Sequence, residues 1–389
     1  VRANPDAFLC GRADTAFETT GTTSPVPKRI YFSNAELNAM GRASAFGLYQ
    51  LGLRGEDRIL SAYDSSFWVS PAVLRSALRH LNCFHVEAGK IPPADFYEHA
   101  RIYRPNVIFG EPSWVVRLSE IAEKRGIWDV KFLFAGGENI AEESRRFVEN
   151  IWNAPLYLNY GQTEGFGSLG VECRAHQGYH RNDLNFIFET PEPDADGFGE
   201  LVYTTLTREV MPLIRYRSTD VTKLVEEECE CGLPAKRLAR IRSRKDEMIV
   251  CGMGNISPWI FNEILRDVPL LVGGEWQVRV WHENLIDTIE LRVETAYADQ
   301  MHIREAVSEN IMENLKTRFP DFWKNLEMKL YDFRIVPVMR ETLRTARKLK
   351  RIVALDAPPA DEKPSAEIVK TKQAATFVSN GNGFSQEKI

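Results

Sequence analysis

Cys173 and His180, with six residues between them, and the pair Cys229-x-Cys231 are four soft ligands within one stretch of chain. Two cysteine thiolates from a C-x-C pair, a third cysteine and an imidazole suit one tetrahedral Zn²⁺ in a closed, structural site. His176 competes with His180 for the fourth position. Of the six cysteines, Cys10, Cys83 and Cys251 have no metal-like companions, and no cysteine is placed as a nucleophile beside a histidine. A second constellation is Thr19-Thr20-Gly21-Thr22-Thr23-Ser24, followed by Pro25, Pro27 and Lys28, after a short strand expected over Thr15 to Glu18. Hydroxyl residues around a glycine let backbone N–H and side-chain O–H groups converge on an anion, and the lysine adds charge. The chemistry is that of a polyphosphate cradle, without the G-x-x-x-x-G-K-[ST] order of a Walker A loop. Taken alone, such a segment is equally a plain Thr-rich turn.

Further motifs follow in a fixed order. Tyr160-Gly161-Gln162-Thr163-Glu164-Gly165 comes after an expected strand. Gly199-Glu200-Leu201-Val202 leads to Met211-Pro212-Leu213-Ile214-Arg215-Tyr216-Arg217-Ser218-Thr219-Asp220. Arg244-Lys245-Asp246-Glu247-Met248-Ile249 and Arg344-Thr345-Ala346-Arg347-Lys348 complete the series. Together with the Thr-rich loop, this order resembles the adenylate-forming superfamily of acyl-CoA synthetases, luciferases and peptide-synthetase adenylation domains. The resemblance is nearest to its phenylacetate-CoA ligase branch and runs from about Thr15 to Val353.

The resemblance implies roles residue by residue. Thr19, Thr20, Gly21, Thr22 and Thr23 with Lys28 match the loop that holds the β and γ phosphates of ATP. Glu164 resembles the family's Mg²⁺ carboxylate, with Thr163 against the α-phosphate; a hard oxygen ligand there offsets charge during attack on phosphorus. Gly136-Gly137-Glu138 and Asn159-Tyr160-Gly161 match the segments around adenine. Asp220 resembles the carboxylate that accepts the ribose hydroxyls, and Arg244 the arginine beside the nucleotide. Asp246 sits at the hinge of a small mobile domain, and Lys348 matches its catalytic lysine, which acts on charge developing in the transition state. Singly, each has a structural reading: Tyr160 as core, Asp220 as a turn cap, Arg244 and Asp246 as a solvated pair worth under about 1 kcal/mol, and Arg340 to Arg351 as a basic face. The loop ends in Ser24 where glycine is common, and Ser243 precedes Arg244 where glycine is usual.

The implied reaction is ATP-dependent activation of an aryl acid to acyl-AMP, with transfer to CoA. The alternatives are an acyl-adenylate supplied to a partner reductase or carrier, as in enzymes resembling those that handle phenazine carboxylates in antibiotic biosynthesis, and a nucleotide-binding relative without turnover. Asp64-Ser65-Ser66-Phe67-Trp68, Phe109-Gly110 and Phe134-Ala135-Gly136 follow or end expected strands and offer aromatic walls for a flat acid; for Phe109 and Phe134, core is the competing reading. The branch carries a longer helical stretch before its phosphate loop, whereas 18 residues precede Thr19 here, so the resemblance implies an N-terminally shortened variant, with a homodimer surface left open.

These residues need a frame. From Asp57 to Tyr160 short apolar runs alternate with amphipathic stretches, the pattern of right-handed βαβ crossovers and a parallel sheet, which places ligands at the carboxyl ends of its strands. Beyond Gly170 the sequence turns strand-rich, at Phe186 to Phe188, Glu200 to Thr205 and Leu213 to Leu224. A compact α+β unit follows, with strands over Glu275 to Trp281, Thr288 to Val293 and Lys329 to Val336 and a helix over Ile303 to Arg318. The expectation is an α/β protein: an adenylation domain over 1–241 with a parallel βαβ sheet plus strand-rich subdomain, a small mobile α+β domain over 242–355, and a disordered tail over 356–389. The 389 residues are ample for such cores. Forty-nine basic against 54 acidic side chains give −5, with no basic excess to drive binding to nucleic acid. No apolar run approaches the roughly 18 to 20 residues of a membrane span, and the first ten residues lack a signal peptide's pattern, so a cytoplasmic location is expected.

Overall fold

The computed structural model describes residues 4–19, 27–138, 140, 142–244, 249–251, 254–256, 258–271, 275–343 and 351–359. A hairpin of β1 (Thr15–Glu18) and β2 (Arg29–Phe32) opens the fold. α1 (Asn34–Gln50) starts at Ser33, whose hydroxyl accepts from the Glu36 amide while the Glu36 carboxylate accepts from the Ser33 amide. This reciprocal cap satisfies donors that a helix start leaves open.

The expected alternation then runs through β3 (Arg58–Ser61), α2 (Val69–Leu81), β4 (Phe84–Glu87), α3 (Pro93–Tyr103), β5 (Val107–Gly110), α4 (Pro112–Arg125), β6 (Phe132–Gly136), α5 (Glu142–Trp152) and β7 (Leu156–Gln162). β4, β3, β5, β6 and β7 are parallel neighbours. The central strands read as continuous apolar runs because helices cover both faces. On one face Ile59, Val107, Phe109, Phe132, Phe134 and Tyr157 pack with Leu48, Leu74 and Leu78 of α1 and α2. On the other, Leu60, Ile108, Leu133 and Leu158 pack with Phe96, Trp114, Val148 and Trp152 of α3, α4 and α5. Trp114 is fully buried and its indole N–H donates to the Ile91 carbonyl at 2.9 Å, so burial worth on the order of 3 kcal/mol leaves no unmet donor.

The strand-rich region does not stand apart as a single subdomain. β8 (Gly167–Glu172) and β9 (Tyr179–Arg181) continue the large sheet antiparallel beyond β7. Of the next elements, β10 (Phe186–Glu189), β11 (Gly199–Thr205) and β12 (Tyr216–Thr222) build a second sheet, while β13 (Leu224–Val225) and β14 (Arg237–Leu238) return to the first. The result is a nine-stranded mixed sheet, β13-β14-β9-β8-β7-β6-β5-β3-β4, and a four-stranded antiparallel sheet, β10-β11-β12-β15, closed by β15 (Ser243–Arg244). The strand expected over Leu213 to Leu224 begins only at Tyr216 and carries a bulge against β11 between Glu200 and Val202.

The remainder matches the expected α+β unit. A small ribbon of β16 (Ile249–Cys251) and β17 (Gly254–Ile256) leads to α6 (Pro258–Leu265). β18 (Trp276–Glu283), β19 (Ile286–Thr295), α7 (Met301–Arg318), α8 (Pro320–Glu327), β20 (Tyr331–Met339) and β21 (Ile352–Ala354) follow, with the strands in order β20-β19-β18-β21. The chain through Pro358 forms one compact unit. The expected tail lies outside the described residues from position 360 onward. Among the described residues no helix is long and apolar enough to cross a membrane.

Candidate active site and cysteine cluster

Thr19 and Lys28 close the base of the Thr-rich loop. The Thr19 amide donates to the Lys28 carbonyl at 3.0 Å and the Lys28 amide to Thr19 Oγ1 at 3.1 Å. Thr20, Gly21, Thr22 and Thr23 themselves lie outside the described residues. From this base Lys28 Nζ reaches Glu164 Oε1 at 2.7 Å and the Tyr216 hydroxyl at 2.6 Å, while Tyr216 donates to Glu164 Oε1 at 2.9 Å. Arg208, itself buried, donates to the Glu164 carbonyl at 2.5 Å. Burial alone would push the Glu164 carboxyl up; the Lys28 ammonium, its hydrogen bond and that of Tyr216 outweigh it and hold the group below its usual value.

Glu164 is positioned by the tight β7–β8 connection. A Cβ on Gly161 would stand 2.0 Å from the Gly167 carbonyl oxygen, so only glycine lets the two strands approach this closely. Thr163 and Phe166 close the turn through the Thr163 carbonyl. One strand residue earlier, the Tyr160 hydroxyl donates to Asp220 Oδ2 at 2.6 Å, and Gln162 Nε2 donates to the same oxygen at 2.6 Å. Tyr203 donates to Gln162 Oε1 at 3.1 Å, and its ring lies 5.3 Å from that of Tyr216. The carboxylates of Glu164 and Asp220 are thereby linked through Tyr216, Tyr203 and Gln162. Asp220 sits in the β12 bulge, a device that re-aims side chains at a site. Thr219 beside it is held at φ 67°, a genuine outlier for a β-branched residue.

At the carboxyl ends of β6 and β7, Gly136 pairs with Asn159, and a Cβ on Gly136 would come within 3.0 Å of the Asn159 carbonyl oxygen. Asn159 Oδ1 is buried with no hydrogen-bond partner among the described residues. Gly137 follows at φ 97°, and Glu138 then accepts from the Ser113 amide at 3.0 Å. Arg244 is paired with Asp220 in the backbone register of β12 and β15; its side chain, with Asp246 and Lys348, lies outside what the structure describes.

The same strand ends carry a polar cluster of which the sequence reading named only Glu138. Lys90, after β4, makes a desolvated ion pair with Glu111, after β5. Glu138 is pushed up to about 8, first by burial and then by the charge of Glu111, and burial next to Glu111 raises the Tyr63 phenol. Phe109 and Phe134 do not line this region. Strand alternation turns both toward α1 and α2, where their rings pack at 4.8 Å, so the core reading holds for them. Phe67 is 72% exposed and held at φ 60°, its carbonyl accepting from the Glu18 amide. Tyr216, Gln162, Tyr203 and Arg208 were also missed. Period-2 alternation could have found Gln162 from Tyr160, since the two share a face of β7, whereas the β12 bulge between Tyr216 and Asp220 removes that signal for Tyr216.

Cys173 after β8, His180 on β9, and Cys229 and Cys231 in the β13–β14 connection bring their ligand atoms within 4.8 Å of one another. Cys173 Sγ is 3.6 Å from Cys229 Sγ, and Cys231 Sγ is 3.2 Å from His180 Nε2. His180 Nδ1 lies 2.8 Å from the Ala235 carbonyl, which makes it the protonated nitrogen and leaves the Nε2 lone pair facing the sulfurs. Gly178, at φ 94°, permits the turn, since a Cβ there would strike the Leu238 carbonyl oxygen at 2.3 Å. His176 turns away, accepting from Arg145 and stacking on Tyr157 at 5.6 Å.

No family model matches the chain. It is 32% identical to the phenylacetate-coenzyme A ligase of Thermus thermophilus over 224 residues, 54% of this chain and 50% of that protein. To the phenylacetate-coenzyme A ligase of Pseudomonas putida it is 23% identical over 316 residues, 78% of this chain and 71% of the other. The chain thus spans half the length of the first of these relatives. A solved structure of 2-hydroxyisobutyryl-CoA ligase with 2-HIB-AMP and CoA, in the thioesterification state, matches at TM-score 0.74 with 22% identity, covering 89% of this chain and 75% of that one. The same protein in the postadenylation state matches at TM-score 0.58. The chain is homologous to phenylacetate-CoA ligases and has the α/β fold of the adenylate-forming CoA ligases.

Proposed function

We propose that this protein is an acid-CoA ligase: it joins a carboxylic acid to AMP at the expense of ATP and passes the acyl group to CoA. The observation that carries the reading is the pairing, within one network, of a buried cation-bearing carboxylate, Glu164, just after β7, with a second buried carboxylate, Asp220, in the β12 bulge. In the first step a carboxylate oxygen of the acid bonds to the α-phosphorus and pyrophosphate leaves; in the second the CoA sulfur bonds to the acyl carbon and AMP leaves.

Each residue has work in this scheme. Thr19 to Thr23 and Lys28 bind the β and γ phosphates, and Thr163 the α-phosphate. Asp220, oriented by Tyr160 and Gln162, accepts from the ribose hydroxyls. Asn159 Oδ1, buried and unpartnered, fits an amino donor such as that of adenine, between Gly136-Gly137-Glu138 and Tyr160. Arg244 flanks the nucleotide. Glu164 fits Mg²⁺, because its carboxylate already rests against a cation; the metal would offset charge on the phosphates as the bond to phosphorus forms. Lys348 is carried by a small domain over 242–355 that turns about a hinge near Asp246.

The cysteine cluster fits structural Zn²⁺. Tetrahedral ligation at the usual bond lengths separates two sulfurs by about 3.8 Å and sulfur from nitrogen by about 3.6 Å, close to the 3.6 Å and 3.2 Å found. The finer substrate reading is an aromatic acid. Its support is the phenylacetate named in the curated relatives together with Phe67 and Trp68 after β3; with Phe109 and Phe134 in the core, two expected walls fall away.

The test is ATP–pyrophosphate exchange across a panel of aromatic and short hydroxy acids, followed by CoA-dependent release of AMP. Exchange without CoA dependence would replace the ligase by an adenylate supplier, and no exchange with any acid would remove the activity altogether.

A further inference from the structure

The small sheet meets the first half of the chain at a hairpin tip built around a histidine. β18 and β19 are joined by the two residues Asn284 and Leu285, at φ 51° and 70°. Both positive values suit a type I′ turn, but the second falls on a leucine, where asparagine or glycine would sit without strain. Leu285 packs against the core, and its carbonyl accepts from the buried Ser144 hydroxyl of α5 at 3.1 Å. Ser144 Oγ also lies 2.9 Å from His282 Nε2, and His282 Nδ1 lies 2.9 Å from Asp287 Oδ1.

Asp287 can only accept, so Nδ1 carries a hydrogen. Ser144 has one proton for two neighbours, the Leu285 carbonyl at 3.1 Å and His282 Nε2 at 2.9 Å, and when it donates to Leu285 it is free to accept from a protonated Nε2. A protonated ring can meet all three contacts at once, with Nδ1 donating to Asp287, Nε2 to Ser144 and Ser144 to the Leu285 carbonyl. The groups acting on it are Asp287 on β19 and Glu143 on α5; the Asp287 hydrogen bond raises its affinity for protons, burial opposes, and the charges of Asp287 and Glu143 add to the rise.

We propose that His282, Asp287 and the strained Asn284–Leu285 tip form a latch on Ser144 that holds the small sheet against α5 for the CoA-dependent half-reaction. This rests on the proposed two-step activity. The better overlay on the thioesterification state than on the postadenylation state of one ligase supports that assignment. Ser144, His282 and Asp287 are positioning residues that act through the placement of the small sheet. A strained residue kept where the hairpin tip meets α5 is the pattern expected of such a device.

The experiment measures the two half-reactions separately, pyrophosphate exchange and thioester formation from preformed acyl-AMP, from pH 6 to 9, with an NMR titration of the His282 ring. Ser144→Ala and His282→Gln should slow the CoA step on the order of tenfold, as loss of one charge-assisted hydrogen bond would, and leave exchange unchanged. The wild-type CoA step should decline as His282 loses its proton, a limb missing from His282→Gln. The ring's affinity for protons should be lower in Ser144→Ala than in wild type. Equal losses in both half-reactions, or an unchanged CoA step, would overturn the latch. If wild type shows no exchange with any acid, the functional reading fails on its own, and the ring titration still decides the latch: identical titration in Ser144→Ala and wild type sinks it.

Discussion

Lys28 Nζ stands 2.7 Å from Glu164 Oε1, with the Tyr216 hydroxyl touching both. A lysine from the base of the Thr-rich loop thus occupies the carboxylate that is proposed to meet Mg²⁺. Removing Lys28 as Lys28→Met strands a buried carboxylate, which should cost about 3 kcal/mol and raise the Michaelis constant for ATP. The Glu164 carboxyl is held below its usual 4.5, so its contribution is present above that value and lost as pH falls through the lowered one. Acid unfolding of Lys28→Met should therefore begin at higher pH than in wild type, read by circular dichroism. Glu164→Ala should cut exchange by about a hundredfold or more.

Asp220 sits at the end of a relay, receiving hydrogen bonds from both Tyr160 and Gln162 on one oxygen. Loss of a group that binds ground and transition state alike raises the Michaelis constant and spares the turnover number. Asp220→Asn should show that split for ATP, and Tyr160→Phe a weaker form of it. A fall in turnover at unchanged ATP affinity would place Asp220 in the chemical step instead.

Much of this site was readable because its residues lie in short motifs whose strand parity decides what shares a face. Tyr160 and Asp220 come from the motifs that carry the resemblance, and Gln162, two residues on from Tyr160 along β7, shares its face. Phe109 and Phe134 show its limit: the motif locates them at strand ends, but only the side on which α1 and α2 pack makes them core. The return of β13 and β14 to the large sheet was not readable, because two-residue strands have no period to detect and their pairing is set by loops. Lys90 with Glu111 is a contact between the ends of strands separated by a crossover, which is topology rather than local sequence. The cysteine spacing named three of the four residues that come together, while the choice of His180 over His176 needed the β9–β14 register.

For the metal cluster, purified protein should carry about one zinc per chain. Cys229→Ser should lower Tm by several degrees and leave exchange at permissive temperature nearly intact, since a site closed by four protein ligands has no open position for a reactant. Elemental analysis without zinc, or an exchange defect larger than the stability defect, would count against a structural role.

Lys348 lies outside the described residues, and its assignment rests on motif register. A lysine used in the transition state should act on rate: Lys348→Ala should slow acyl-AMP formation on the order of a hundredfold and leave thioester formation from preformed acyl-AMP intact. The same pattern from Lys350→Ala instead would shift the register by two.

Glu138 gives a pH signature tied to the strand-end cluster. Its carboxyl is pushed up to about 8 by burial and by Glu111, against 4.5 for the unfolded chain. Between those values the folded protein holds a proton that the unfolded chain releases. Stability is then highest below 4.5, falls as pH rises, and has lost this contribution above about 8. Glu138→Gln keeps the shape and cannot ionise, so its Tm advantage over wild type should be small at pH 5 and should grow by pH 8.5. Glu111→Gln, which removes the repelling charge, should flatten the same trend while leaving Lys90 without its ion-pair partner, so its overall Tm should fall. Parallel Tm curves for wild type and Glu138→Gln across that range would show that Glu138 is ionised in the folded protein at neutral pH, and that Lys90 neutralises both carboxylates.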